Sequence, residues 1–347
     1  MSALPGCPLP VPEGEQTVCL AHGEGGLLTR RLIRDRIQRV LSNPVLDQLA
    51  DANQIELGSP RLFCTTDTFV VSPQFFPGGD IGSLAVYGTV NDLLVSGAVP
   101  VCLSLGLILE EGLPLTELDR ILVSIQSACQ ECGIYVATGD TKVVPRGQCD
   151  RIYINTTGLG RPRDTMPPGP NALRPGDVLL VTGNIAQHGI AILAERENLG
   201  LTPGPRSDSK SLAGEVACLL PWFSAVRALR DPTRGGVAAV CQEWAEASRC
   251  TLSLDETCLP VSPEARAVCE LLGLDPLHIA GEGNMLLGVD SAVAEQIAAA
   301  LRGAGYTEAA IIGKVRSRDL VPVTVVTSLG HERPLVEPLG APLPRIC

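Results

Sequence analysis

The chain ends in a thiol. Cys347 follows Leu343-Pro344-Arg345-Ile346, and Pro334, Pro338, Pro342 and Pro344 punctuate the approach to it. Proline removes a backbone donor and biases the chain towards extended conformations, so this segment does not read as a helix. At about 3.1 Å per residue, an extended segment from His331 onward would carry the thiol roughly 50 Å. One cysteine could then visit a partner's site and afterwards its own. By spacing alone, a frayed terminus would look the same.

A second set of residues suits phosphate and a divalent cation. Asp67 interrupts the apolar strand pattern Leu62 to Val71, and Asn91-Asp92 interrupts an apolar helix pattern from about Ser83 to Ser96. A carboxylate buried without a partner is costly, so each needs a cation, a donor or an element end. Asp140 and Lys142 share the polar stretch Thr138 to Gly147, read as a loop, and Lys142 is one of three lysines. A compact ammonium there suits a phosphate contact, or a salt bridge within a turn. Asp231 opens Asp-Pro-Thr-Arg-Gly-Gly before a helix, where it could meet a cation or simply cap. Glu282 lies between Gly281 and Gly283, which permit close approach of a ligand and equally suit a turn. Gly25 and Gly26 precede a helix and could turn N–H groups towards phosphate, although no Walker A sequence occurs.

Carboxylates together with phosphate oxygens are how Mg²⁺ is usually held, since it keeps oxygen ligands and rarely has a closed protein cage. The ligand inferred is a magnesium nucleotide. If Cys347 bore a carboxamide, ATP could drive its dehydration, because an amide oxygen leaves poorly until phosphorylated. Lys142 and magnesium would neutralise the phosphoryl charge, and Glu282 would accept the amide proton.

The totals narrow the classes further. A chain of 347 residues, 45% of them apolar, implies two domains with cores. A net charge of -11 argues against nucleic acid and anionic membrane as partners. No signal-peptide pattern or membrane-length apolar run is evident, which places the chain in the cytoplasm. Thirteen scattered cysteines read as reduced thiols. Cys129 and Cys132 form a C-x-x-C inside a helical pattern, without a second pair at zinc spacing. His188, His278 and His331 share no spacing, and none is read as a metal ligand.

Positioning these residues falls to alternating strands and helices. A strand at Thr17–Leu20 leads to the glycine turn, followed by a helix through Leu28, Leu32, Ile37 and Leu41. Strands are expected at Leu62–Val71, Val101–Leu109, Ile134–Ala137 and Arg151–Thr157. The pattern Thr116-Glu117-Leu118-Asp119 predicts a capped helix from Glu117 to Cys132. Five prolines crowd Arg161 to Gly176 and mark a linker. Beyond it come a strand at Asp177–Thr182, a helix after Gly236 and a strand at Met285–Val289. The expected divisions are 1–16 as lead-in, 17–160, 161–176 as linker, 177–330, and 331–347 as tail.

Taken together, His22-Gly23-Glu24-Gly25-Gly26, Thr65-Thr66-Asp67, Phe75-Phe76-Pro77-Gly78-Gly79-Asp80-Ile81-Gly82, Val90-Asn91-Asp92-Leu93, Thr138-Gly139-Asp140-Thr141-Lys142-Val143-Val144, Asp231-Pro232-Thr233-Arg234-Gly235-Gly236 and Pro344-Arg345-Ile346-Cys347 carry a resemblance. From about Val18 to its last residue the chain resembles the HypE carbamoyl dehydratases of nickel–iron hydrogenase maturation, related in fold to aminoimidazole-ribonucleotide and selenophosphate synthetases. The resemblance implies an α+β fold: two αβ domains of the aminoimidazole-ribonucleotide synthetase type with an extended, flexible C-terminal tail. The N-terminal domain would pair as a homodimer and bind ATP. By motif, Asp67, Asp92 and Asp231 would hold magnesium, and Gly25, Gly26, Asn91, Asp140 and Lys142 would line the nucleotide site. Cys347, Lys142 and Glu282 would be catalytic. A partner carbamoyltransferase would load Cys347, and an iron-carrying maturation scaffold would receive cyanide. Leu27, and Asn284 in Gly281-Glu282-Gly283-Asn284, depart from the family pattern. Rival readings are a synthetase of the same superfamily acting on a free small molecule, and a non-catalytic thiol scaffold for metal or partners.

Overall fold

The structure, a computed structural model, describes residues 16–23, 27–48, 53–336, 343 and 345–347. The chain divides into two compact units. One takes residues up to Val70, Asp80–Thr89 and Pro100–Arg161; the other takes Val71–Gly79, Val90–Val99 and the chain from Pro162 onward.

The strands of the N-terminal half are β1 (Phe63–Phe69), the short ribbon β2 (Phe75–Phe76) and β3 (Gly79–Asp80), then β4 (Ala98–Glu110), β5 (Tyr135–Val144) and β6 (Ile152–Pro162). Four form a sheet in the order β1-β6-β4-β5, with β1 antiparallel to β6 and β4 parallel to β5. Helical turns run from α1 (Leu27–Leu32) through a wider π-type turn, Ile33–Gln38, into α2 (Arg39–Leu41). Helix α3 (Ile81–Val95) is apolar around most of its circumference, which is the pattern of a buried helix. Ile81, Leu84 and Ala85 have no exposed surface. By contrast α4 (Leu115–Cys132) buries one stripe, Leu118, Ile121, Leu122 and Ile125 among it. Each such side chain contributes roughly 1.5–3 kcal/mol by burial. Gly82 lets α3 approach α4, because a Cβ there would lie 2.7 Å from the Ile121 carbonyl oxygen.

Three expectations change here. In place of the strand expected at Thr17–Leu20, Thr17 makes only an isolated bridge to Pro114 and Leu20 opens a 3-10 turn, Leu20–Gly23. Helix α4 begins at Leu115 with Pro114 at its N-cap and no side-chain cap bond, so Thr116 sits inside the first turn. The stretch Thr138–Val144 is strand, not loop. Pairing with β4 continues to Val144, and the backbone ladder outweighs the polar side chains that had suggested a turn.

The second unit is built on a seven-stranded sheet. Its strands are β7 (Val178–Val181), β8 (Val226–Arg230), β9 (Thr251–Asp255), β10 (Leu286–Val289), β11 (Ala310–Arg316), β12 (Val323–Val326) and β13 (Glu332–Pro334), in the order β13-β12-β9-β11-β7-β10-β8. All neighbours are antiparallel except β12 and β9. The helices are α5 (Gln187–Arg196), α6 (Ala213–Leu219), α7 (Gly236–Ser248), α8 (Pro263–Leu272) and α9 (Ala294–Gly303). Helix α8 has complete end signals: Ser262 accepts from the Ala265 amide, Pro263 follows, and Gly273 closes the helix at φ 67°.

The C-terminal segment begins as structure. β13 pairs with β12, Gln242 donates to the Leu335 carbonyl, and the His278 ring bonds the Val336 carbonyl. Residues 337–342 and 344 lie outside the described residues. Leu343, Ile346 and Cys347 are buried in this unit.

Candidate active site

In the second unit, Ala280-Gly281-Glu282-Gly283-Asn284 is held from three sides, twice by backbone and once by a carboxylate. The Gly189 amide donates to the Ala280 carbonyl, the Gly281 amide donates to Pro232, and the Glu282 amide donates to Asp208 Oδ1 at 3.1 Å. Asn284 gives its side-chain N–H groups to Asp208 Oδ2 at 3.0 Å and to the Asn184 carbonyl at 3.1 Å. Both glycines are dictated by this packing. A Cβ on Gly283 would fall 1.6 Å from the Asp208 carbonyl oxygen, and one on Gly281 would fall 2.3 Å from Asn284 Nδ2. Glu282 is thereby presented from a rigid loop and is only 2% exposed.

Asp231, 3% exposed, lies on the neighbouring loop joined through Pro232. It does not cap the following helix, because the N-cap of α7 is Gly235 at φ 81° with no side-chain cap bond. Asn91 is fully buried. It donates to the Lys210 carbonyl at 3.0 Å and the Glu282 carbonyl at 3.4 Å, and it accepts from the Leu212 amide at 2.9 Å. Its amide therefore clamps backbone, and the half-buried Asp92 beside it is the carboxylate this helix offers.

Cys347 belongs to the same unit and is buried. The residues before it are held through main-chain carbonyls. Arg196 Nη2 donates to the Arg345 carbonyl at 2.7 Å and Arg196 Nε to the Ser72 carbonyl at 2.9 Å, while the Ser72 amide also donates to Arg345. His188 bonds the Ile346 carbonyl through Nε2 at 2.5 Å and Ser207 Oγ through Nδ1 at 2.8 Å. A carbonyl only accepts, so Nε2 carries the proton and Nδ1 accepts from the serine hydroxyl. The ring is thus a neutral imidazole in one tautomer. Complete burial agrees, holding its pKa below the ordinary histidine value although Asp208 pulls the other way. The Phe76 ring meets it edge-on at 5.4 Å.

In the first unit, Asp67 is half-buried on β1. Its Oδ2 lies 3.9 Å from where a Gly88 Cβ would stand, so it points to the side of the sheet covered by α3. Asp140 and Lys142 are exposed on β5 and pair at 3.4 Å. Both were placed in a loop by sequence, and the structure puts them on an edge strand. A cavity of about 190 Å³ opens beside them, lined by Ile33, Ile37, Leu105, Leu107, Val136 and Asp140 among others. Asp67 and Asp140 occupy opposite edge strands. Three strand spacings, about 14 Å, separate those edges, too far for one cation to take both. Gly25 and Gly26 lie outside the described residues. Among those described, no three His, Cys, Asp or Glu side chains converge on a metal-sized space. The C-x-x-C pair does not supply one: burial pushes the Cys129 thiol up to about 12.

The first unit therefore pairs Asp140 with Lys142, and the second contains Asn91, Asp92, Asp231, Glu282 and Cys347. Sequence reasoning missed His188, Arg196, Ser207 and Asp208. His188 had been set aside for want of metal-ligand spacing, yet its partners are backbone and a serine. Nothing periodic marks Ser207-Asp208, which lie in a polar stretch between elements.

Residues 50–161 match the family described as AIR synthase related protein, N-terminal domain, and residues 174–326 match its C-terminal domain. The carbamoyl dehydratase HypE of Rhizobium leguminosarum bv. viciae is 43% identical over 94% of each chain. The chain belongs to the HypE carbamoyl dehydratases. A HypE crystal structure in complex with ATP superposes at TM-score 0.89 with 42% identity, covering 95% of this chain and 99% of that one. A HypE–HypF complex superposes at 0.77 with 38% identity, covering 88% and 99%. The HypE assignment makes this chain an enzyme of hydrogenase maturation, with the α+β fold of two αβ domains that the motifs implied. No helix among the described residues is long and apolar enough to cross a membrane.

Proposed function

We propose that this HypE chain dehydrates a carbamoyl group on its own Cys347. The seating of Cys347 in the unit that holds Glu282 and Asp231 is the observation that carries this reading. The carboxamide oxygen of R–S–C(O)NH₂ attacks the γ-phosphorus of ATP, ADP leaves, and one N–H proton is lost. The second N–H proton passes to Glu282 as the C–O bond breaks and phosphate departs, leaving R–S–C≡N. Lys142 meets the charge that develops on the transferred phosphoryl group. The HypE solved with ATP supports the nucleotide.

Mg²⁺ fits the chemistry of Asp92 and Asp231, which offer oxygen only, and among the described residues no group of three His, Cys, Asp or Glu side chains closes around an ion. Asp92 and Asp231 would hold it with phosphate oxygens and water, and it would supply charge neutralisation there. Asp67, Asp140, Gly25 and Gly26 would serve the nucleotide.

A carbamoyltransferase of the HypF kind, as in the HypE–HypF complex, would load Cys347. An iron-carrying scaffold would then receive the cyanide. The chain leading towards the terminus is held as far as Val336, through Gln242 and His278. Two copies would pair through the four-stranded sheet. Its open face carries Thr66, Thr68, Asn155 and Ile108, and its two edges lack partners among the described strands. We place the chain in the cytoplasm.

The test is Cys347→Ala. Cyanide formation should be abolished while ATP binding, measured by calorimetry, stays intact. Unchanged cyanide formation would mean that the substrate is a free molecule.

A further inference from the structure

We propose that Ser207-Asp208 is a two-sided brace that fixes the substrate-bearing terminus and the Glu282 loop to one another. This rests on the reading of Cys347 as substrate and Glu282 as proton acceptor, and it names positioning residues which that reading does not contain.

On one side, Ser207 Oγ donates to His188 Nδ1, and the opposite ring nitrogen donates to the Ile346 carbonyl, one residue from the thiol. The carbonyl keeps the proton on Nε2, and the hydroxyl, which itself accepts from the Ser209 amide, supplies the matching donor at Nδ1. Without that donor, the buried Nδ1 lone pair is left unsatisfied and the ring loses the contact that holds it against the carbonyl. On the other side, Asp208 Oδ1 takes the Glu282 amide and Oδ2 takes the Asn284 side chain, so one carboxylate spans the loop on both flanks of Gly283.

The brace is itself immobilised. The Ser207 amide donates to the Pro77 carbonyl at 2.8 Å, and a Cβ on Gly78 would fall 2.5 Å from the Ser207 carbonyl oxygen. Beyond it, Asn91 grips Lys210 and Leu212. Consecutive residues, fixed at both ends, thus face the carrier of the substrate and the carrier of the base. Their task is distance: proton transfer needs heavy atoms at about 2.6–3.2 Å, and an error near 1 Å costs on the order of a hundredfold in rate.

The test uses full-length chain carbamoylated on Cys347 by the transferase, mixed with ATP and quenched for mass spectrometry of the C-terminal peptide. Ser207→Ala and Asp208→Ala should each slow the loss of one water at least tenfold, while the extent of loading and ATP affinity stay at wild-type values. The double variant should be no slower than about threefold beyond the worse single variant, because the two act as one unit. Asp208→Asn retains an acceptor for the Glu282 amide but turns an NH₂ towards the Asn284 donor, so it should recover only part of the rate. Imidazole ¹⁵N shifts, with four histidines to assign, should show the His188 Nδ1 resonance moving as its hydrogen bond is lost in Ser207→Ala but not in Asp208→Ala. A wild-type dehydration rate in either alanine variant, or rate losses that multiply independently, overturns the brace. If wild-type Cys347 never loses water, the substrate reading fails instead, so the two failures are distinguishable.

Discussion

His188 shows how much a single neutral ring can decide. It is wholly buried between a serine hydroxyl and a main-chain carbonyl, and burial keeps its pKa below the ordinary value. Protonation would put a second N–H where Ser207 now donates, with charge in an apolar site beside Phe76. The unfolded chain binds that proton near pH 6.5 and the folded one binds it only at lower pH, so stability from His188 is full above about 6.5 and falls as pH drops. The thermal midpoint should decline between pH 7 and 5.5 by an amount worth up to about 1.4 kcal/mol per pH unit. His188→Gln should remove that part of the decline. An identical pH profile in the variant would place the sensitive group elsewhere. Cys347, Glu282, Asp231 and Lys142 stood out in the sequence as candidates because each breaks a local pattern. His188 and Asp208 were not, because their partners are 158 and 74 residues away.

Among the elements, the glycine-flanked loop before β10 is tightly constrained. Its glycines read from sequence as turn or ligand approach, and the structure gives another cause, the Ser207–Lys210 segment lying against them. Gly283→Ala should force that segment away, costing about 1–3 kcal/mol in urea unfolding and slowing dehydration. Gly303→Ala is the control. No atom lies within 4 Å of a Cβ there, so stability should stay level or rise slightly. Similar costs at both sites would show that close packing does not explain Gly283. Helix α4 was visible in the sequence from its apolar stripe, although its cap was not. The extension of β5 through Asp140 and Lys142 was also hidden, since strand pairing is a property of the partner β4.

For the whole molecule, the paired state and the moving thiol are the consequential proposals. Ile108 is 40% exposed on the open face of the four-stranded sheet. If that face joins two copies, Ile108→Glu should shift the mass in light scattering from dimer to monomer at micromolar concentration, with the far-ultraviolet circular dichroism unchanged. A dimer that persists would move the interface away from this sheet. The two family matches fall one in each half of the chain, whereas the compact units are interleaved: Val71–Gly79 and Val90–Val99 belong to the second. Composition predicts two cores but not that exchange, because it depends on which residues pack together.

The sequence by itself determined the class of chemistry and the family, since a terminal cysteine, carboxylates set in apolar segments and glycine turns are local statements readable in order. It also determined the alternation of strands and helices, through apolar periodicity. Only the tertiary structure decided that the thiol's carrier is gripped by its carbonyls, that Asn91 clamps backbone, and that Asp67 and Asp140 stand on opposite edges of one sheet. Those facts depend on hydrogen-bond partners and strand order, which contacts distant in sequence establish and no local pattern encodes.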